Sequence, residues 1–234
     1  MYCFECDSDT RALSGKCDIC GKPLTADADR YFKNGMEALA SGELGHAIDL
    51  LGSCVKTNPS HINGQYNLGM ALALAGRNDD AQNAYMMVVT FDPEYPGIYT
   101  ALGQISFANY LNYCEQAETQ RQMMLRLFEK AINEDNDDVD AYYSLANAYI
   151  AIGSADKALP CLKHALEIQP ESAAVHVSLA RAFAMLEKYA EASTILDKSV
   201  MLSSPDDAFM DEIQYLKDEL MKITLGELSE KVAE

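Results

Sequence analysis

From residue 28 onward, small, bulky and polar positions recur at helical spacing, and the recurrence itself has a period. Gly35, Gly69 and Gly103 are separated by steps of 34, Ala146 and Ala180 by another 34, and the two sets by 43. Three further columns keep the same steps: Ala47, Ala81, Met124, Ala158, Ala192; then Leu51, Tyr85, Phe128, Leu162, Leu196; then Pro59, Pro93, Asn136, Pro170, Ser204. Within each unit the second, third and a further small position fall at i, i+4 and i+7, which places them on one stripe of a helix. A small residue in the first column allows a preceding helix to approach that stripe closely. Gly42, Gly76, Gly153 and a break before Lys188 mark turns between two antiparallel helices. The prolines end the second helix of each unit.

This period and these columns resemble the tetratricopeptide repeat. The resemblance covers five units, 28–61, 62–95, 96–138, 139–172 and 173–206, and implies an all-α fold, a right-handed superhelix of helical hairpins over residues 27–206. The usual Trp at the fourth position of a unit is replaced by Tyr31, Gln65, Tyr99, Tyr142 and His176, and Asn34 stands where Leu is usual. The third unit carries nine extra residues within 106–123. That stretch has no Gly or Pro, which predicts lengthened helices or a longer turn. Residues 207–234 are expected to form a capping helix and tail, with Phe209, Ile213, Leu216, Leu220 and Ile223 on its buried stripe.

Ahead of the repeats, Cys3, Cys6, Cys17 and Cys20 form a Cys-x2-Cys-x10-Cys-x2-Cys arrangement. Two thiolate pairs from two tight turns close a tetrahedral S4 site with no position open for water, which is a structural metal site. Residues 1–26 therefore read as a zinc ribbon, with a short hairpin expected in the spacer. Iron is the alternative ion, since the pairs also resemble rubredoxin-type knuckles, although Asp18 stands where Pro is usual. A module this small buries too little apolar surface to fold alone, so the metal supplies much of its folding free energy.

In the repeat family, the first helices build a concave wall that binds peptides or helices. The matching positions here include Phe32, Lys33 and Met36; Asn63, Tyr66, Asn67 and Met70; Gln104 and Phe107; Tyr143 and Asn147; and Arg181. Asn and Gln can hydrogen-bond a peptide backbone in either sense, while Met, Tyr and Phe give adaptable apolar contact. The basic clamp by which some members hold acidic carboxy-terminal tails does not match. Asn67 is in place, but Met36, Gly97 and Ala101 stand where Asn, Lys and Arg are needed.

Charge narrows the partners. The 234 residues carry 36 acids against 18 Lys and Arg, a formal net charge of −18, with 49% hydrophobic residues. That is a folded composition, and it repels the phosphates of nucleic acids and anionic membrane surfaces. No stretch reaches the roughly 18 to 20 apolar residues of a membrane span, and the first residues lack the pattern of a secretory signal. The expected location is the cytoplasm, in keeping with the scattered Cys54, Cys114 and Cys161. His46, His61, His164 and His176 occupy unrelated repeat positions, Cys161 and His164 read as packing, and residues 134–138 read as a solvated turn. No nucleophile and base constellation or phosphate loop is visible. The expectation is a non-catalytic scaffold or adaptor that binds a neutral-to-basic protein or peptide in its groove. The alternative is a metal- or redox-responsive regulatory adaptor with iron in the cysteine site.

Overall fold

The computed structural model describes residues 2–3, 8–9, 19, 27–112, 117–203 and 209–233. The chain divides into two compact units, Met1–Ala101 and Leu102–Glu234. The first holds a two-residue ladder, β1 (Tyr2–Cys3) antiparallel to β2 (Ser8–Asp9), and the helices α1 (Ala28–Ala40), α2 (Leu44–Thr57), α3 (Ile62–Leu74) and α4 (Asn78–Phe91). Helix α5 (Ile98–Asn112) starts in the first unit and runs into the second. There α6 (Ala117–Glu134), α7 (Val139–Ala151), α8 (Ala155–Ile168), α9 (Ala173–Met185), α10 (Tyr189–Leu202) and α11 (Phe209–Ala233) follow.

Consecutive helices pair as α1 with α2, α3 with α4, α7 with α8 and α9 with α10, and each pair stacks on the next through α2 with α3 and α8 with α9. The closest approach inside a pair lies where the columns place it. A Cβ added to Gly35 would meet Leu51 Cγ at 2.8 Å, one on Gly69 the Tyr85 ring at 2.6 Å, and one on Gly103 the Phe128 ring at 2.5 Å. In the later units Ala146 and Leu162, and Ala180 and Leu196, are all buried at the same register. A bulky side chain is thus seated against a missing or minimal one in every unit, which is how two helices close to packing distance without a void.

Four of the turns between paired helices are alike. Gly42, Gly76 and Gly153 adopt φ of +76°, +74° and +78°, and Glu187 takes φ of +61° at the corresponding place. Each donates its N–H three residues back, while the next residue donates five back, as in Glu43 N–H to Ala38 O and Lys188 N–H to Phe183 O. These are Schellman caps, which satisfy the orphan carbonyls of the ending helix. The break before Lys188 is therefore a left-handed glutamate standing in for glycine.

The connections between units repeat as well. Pro59, Pro93 and Pro170 each follow a helix end by two residues. Asn58, Asp92 and Asp135 accept from the backbone two residues on, an Asx turn that replaces the lost helical hydrogen bonds. The acidic segment 134–138 is such a turn, and Asp138 goes on to cap α7 by accepting from Ala141 N–H at 2.9 Å. The fourth position anchors these connections. Gln65 donates to Pro59 O at 3.1 Å, Tyr142 to Asn136 Oδ1 at 2.9 Å, and the buried His176 bonds Ser172 O at 2.8 Å.

The expansion in the third unit lengthens its helices. Relative to its neighbours α5 extends four residues further at its end, α6 begins four residues earlier, and the connection gains one. The unit also opens two residues later than expected, because Pro96 and the left-handed Gly97 delay α5 to Ile98. On α11, Ile213 and Leu220 are buried and Leu216 packs beside them, but Ile223 is 38% exposed and lies off the expected stripe. The side chain of Phe209 and those of residues 224–233 lie outside the described residues.

Candidate interaction groove

In the second unit, the first helices of successive hairpins bring four of the expected groove residues together. Phe107 of α5, Tyr143 and Asn147 of α7 and Arg181 of α9 line one concavity of about 300 Å³, with Leu111, Ile150, Ala151, Ala174, Val177 and Ser178 completing its wall. The wall is mainly apolar, and two pairs of its polar groups are engaged with one another. Ser178 Oγ–H donates to Asn147 Oδ1 at 2.9 Å. Arg181 donates to a carboxylate oxygen of Glu212, which reaches in from α11. Gln104 is exposed and donates to Ser144 Oγ at 3.3 Å, outside the concavity proper.

Two features of this wall go beyond the sequence expectation. Arg181 is no free cation, because Glu212 neutralises it. Val177 and Ser178 are buried and form the floor, with Tyr143, Asn147 and Phe107 half-buried at the sides. The pocket therefore offers apolar area and a paired amide, and suits an uncharged side chain. Sequence reasoning missed Glu212, though the signal was present, since Glu212 stands 34 residues after Ser178 and so continues the repeat register into α11.

In the first unit, Phe32, Met36, Tyr66, Asn67 and Met70 are half-buried on α1 and α3, which touch one another, while Lys33 and Asn63 are exposed. The aromatic residues are locked in place. The Phe32 ring lies 4.9 Å from that of His61, and Tyr66 lies 5.6 Å from Tyr85 and 4.9 Å from Tyr95. Tyr95 Oη–H donates to Asn63 Oδ1 at 3.0 Å, and Asn67 donates to Asn63 O at 2.8 Å. Burial, then the neighbouring Tyr66 and Asp92, push the Tyr95 phenol up, so it stays a hydrogen-bond donor at neutral pH. A further cavity of about 370 Å³ lies among α2, α3 and α4, lined by Ile48, Leu68 and Met87 among others, and holds none of the expected groove residues.

Among the described residues, Cys54, Cys161, His61 and His164 are engaged in packing and hydrogen bonds. Cys54 is fully buried in a small-residue column, and burial first, Asp29 second, pushes its thiol up to about 11. The Cys161 thiol is raised by burial and points at Lys157 O, while His164 faces the Tyr142 ring at 4.4 Å and Asn136 O at 3.3 Å. His61 Nδ1 accepts from Gly64 N–H as the cap of α3, and its Nε2 meets Asp29 at 3.2 Å. Among the described residues no group of three His, Cys, Asp or Glu side chains could hold a metal ion. The four-cysteine site falls on other ground: Cys6, Cys17 and Cys20 lie outside the described residues, and only the backbone of Cys3 is placed, opposite Ser8 in the β1–β2 ladder. That ladder joins residues flanking the first cysteine pair. No described helix is long and apolar enough to cross a membrane.

Comparison with known proteins agrees with the geometry. Residues 127–159 and 153–208 match models of the tetratricopeptide repeat. Residues of this chain are 26% identical to anaphase-promoting complex subunit 3 of Schizosaccharomyces pombe over 158 positions, 68% of this chain, and the chain spans 22% of that relative. A thermophilic tetratricopeptide repeat protein of Thermus thermophilus superposes with a TM-score of 0.67 at 20% identity, covering 85% of this chain and all of that one. MamA from Desulfovibrio magneticus RS-1 gives 0.64 at 20% identity over 77% and 97% of the two chains. YrrB, a repeat protein with an unusual peptide-binding site, gives 0.58 at 18% identity over 82% and 93%. The fold is the tetratricopeptide repeat fold.

Proposed function

We propose that the protein is a non-catalytic scaffold that binds a protein or peptide segment along its first helices, with the concavity of the second unit as the principal seat. The observation that carries this is the convergence of Phe107, Tyr143 and Asn147 from α5 and α7 on one mainly apolar pocket, in which Ser178 is bonded to Asn147 and Arg181 to Glu212. Such a pocket gains from burying an apolar anchor, while the Tyr143 hydroxyl and the Asn147 amide N–H offer hydrogen bonds to the segment that carries it. Two relatives support the reading: one is a subunit of a multiprotein complex, the other has a peptide-binding site. Affinity capture with the wild-type chain and with Tyr143→Ala tests it. Loss of the same partners from the variant, with its helical circular dichroism unchanged, is the expected result; undiminished recovery removes the pocket from the account.

We further propose that Cys3, Cys6, Cys17 and Cys20 hold one zinc ion as a structural staple for residues 1–26. The donor set fits: four thiols in two tight pairs and no competing His. Elemental analysis of the freshly purified protein is expected to find one zinc per chain, lost on substitution of Cys17 by Ser. A coloured, iron-containing protein would instead favour the regulatory alternative.

A further inference from the structure

α11 occupies the place of a sixth first helix. It packs on α10 and on α9, just as α9 packs on α8 and on α7. The register agrees, because Ile213, Leu179 and Leu145 follow one another at 34 residues and all three are buried. On this register the groove-facing positions of α11 are Asp211, Glu212, Tyr215 and Asp218. Glu212 does reach the groove, where it lines the concavity and takes the guanidinium of Arg181.

Asp211, Tyr215 and Asp218 stand beside it, exposed, at i, i+4 and i+7 on one stripe. The lysines of the described part of α11 are used elsewhere: Lys217 pairs with Asp197 at 2.6 Å and Lys222 with Glu219 at 2.8 Å. No described cation forms an ion pair with Asp211 or Asp218; Lys222, bonded to Glu219, lies near enough to feel the charge of Asp218 and Tyr215, and Asp218 itself accepts from the Gln214 amide at 2.8 Å. The groove thus runs from an uncharged apolar pocket to an acidic and aromatic edge, and the one cation lining it is already neutralised. An acidic segment finds only cations already engaged by Glu212 and Glu219, whereas a cation finds two carboxylates and a tyrosine ring, on a chain of net charge −18.

We propose that α11 is the last wall of this groove and selects its ligand by charge: a partner segment that sets an apolar side chain between Phe107, Tyr143 and Val177 and a Lys or Arg over Asp211, Tyr215 and Asp218, an assignment that rests on the groove being the binding surface. The apolar seat centres on α7, two helix spacings of about 8–10 Å from α11, and an extended chain advances about 3.3 Å per residue with alternate side chains on one face, so the two side chains are about four to six residues apart. Selection of random twelve-residue peptides displayed on phage, with the full chain as bait, tests this. The expected pool is enriched in an apolar residue followed or preceded at about four to six residues by Lys or Arg, and the best peptide binds Asp211→Asn/Asp218→Asn at least tenfold more weakly by fluorescence anisotropy. A pool without basic enrichment, or a basic peptide that binds the double variant equally well, overturns the charge assignment while leaving groove binding standing if Tyr143→Ala still abolishes capture. A pool unchanged by Tyr143→Ala, or no enrichment at all, overturns groove binding itself. Sedimentation showing a dimer that the double Asn variant dissociates would assign the edge to a second copy and overturn the partner assignment.

Discussion

Single residues hold the repeat geometry at its tightest points. Glu187 is the one described non-glycine residue at positive φ, in a turn whose three counterparts use glycine. The left-handed conformation costs an L-residue about 1–2 kcal/mol, part of which glycine returns through its greater freedom when unfolded. Glu187→Gly is therefore expected to stabilise the protein by about 0.5–1 kcal/mol, read as a higher midpoint in urea unfolding with the slope unchanged. Cys54 bears on alkaline stability. Its folded thiol is pushed above its ordinary 9.0 to about 11, so between those values the unfolded chain has released a proton that the folded chain keeps. Stability is fully present below about pH 9 and falls as pH rises toward 11. Cys54→Ala, which places in this column the residue that Ala131 and Ala165 already supply, is expected to flatten that part of the pH profile of unfolding. An unchanged profile would assign the alkaline loss to the buried tyrosines, of which Tyr85 is also raised by burial.

Helix pairs are the scale at which the sequence was most legible. The columns that predicted hairpins are the contacts that close them, because a 34-residue period with a small residue facing a bulky one is a statement about inter-helix distance as much as about repetition. Gly103 against Phe128 is the strictest case. Phe128 is fully buried, so a methyl 2.5 Å from its ring has no easy relief. Overpacking of about 1–3 kcal/mol exceeds the gain of about 1 kcal/mol in helix propensity, and Gly103→Ala is expected to destabilise by about 1 kcal/mol. Adding Phe128→Leu recreates the Ala and Leu pairing of the fourth and fifth units. It should recover part of that loss despite removing an aromatic ring, a coupling visible in a double-mutant cycle. What the sequence concealed lies where period and function separate. Nothing in the columns shows that Arg181 is neutralised by Glu212, since that contact spans two units through a helix read only as a cap. How the third-unit expansion divides was likewise open, because nine residues without a breaker fit lengthened helices or a longer turn until both helix ends are placed.

At the scale of the whole molecule, a repeat array is held by nearest-neighbour interfaces, so the loss of one is felt locally first. Ile213 is 1% exposed between α9 and α10, and Ile213→Ala is expected to cost about 2–5 kcal/mol at that interface. Hydrogen exchange should then accelerate in α9, α10 and α11 while protection in α1–α4 is unchanged; a uniform acceleration would mean that the chain unfolds as one cooperative body. The place of α11 in the register has another consequence. Where every earlier first helix carries Gly or Ala to receive the bulky residue of a following second helix, α11 carries Gln214, exposed and bonded to Asp218. Hairpin stacking is a head-to-tail operation with no built-in closure, and an uncovered final hairpin would present the same face that its neighbours use to add another. An amide at that seat occupies the volume that a bulky side chain fills in every earlier hairpin, so a further second helix could pack there only after Gln214 moved aside.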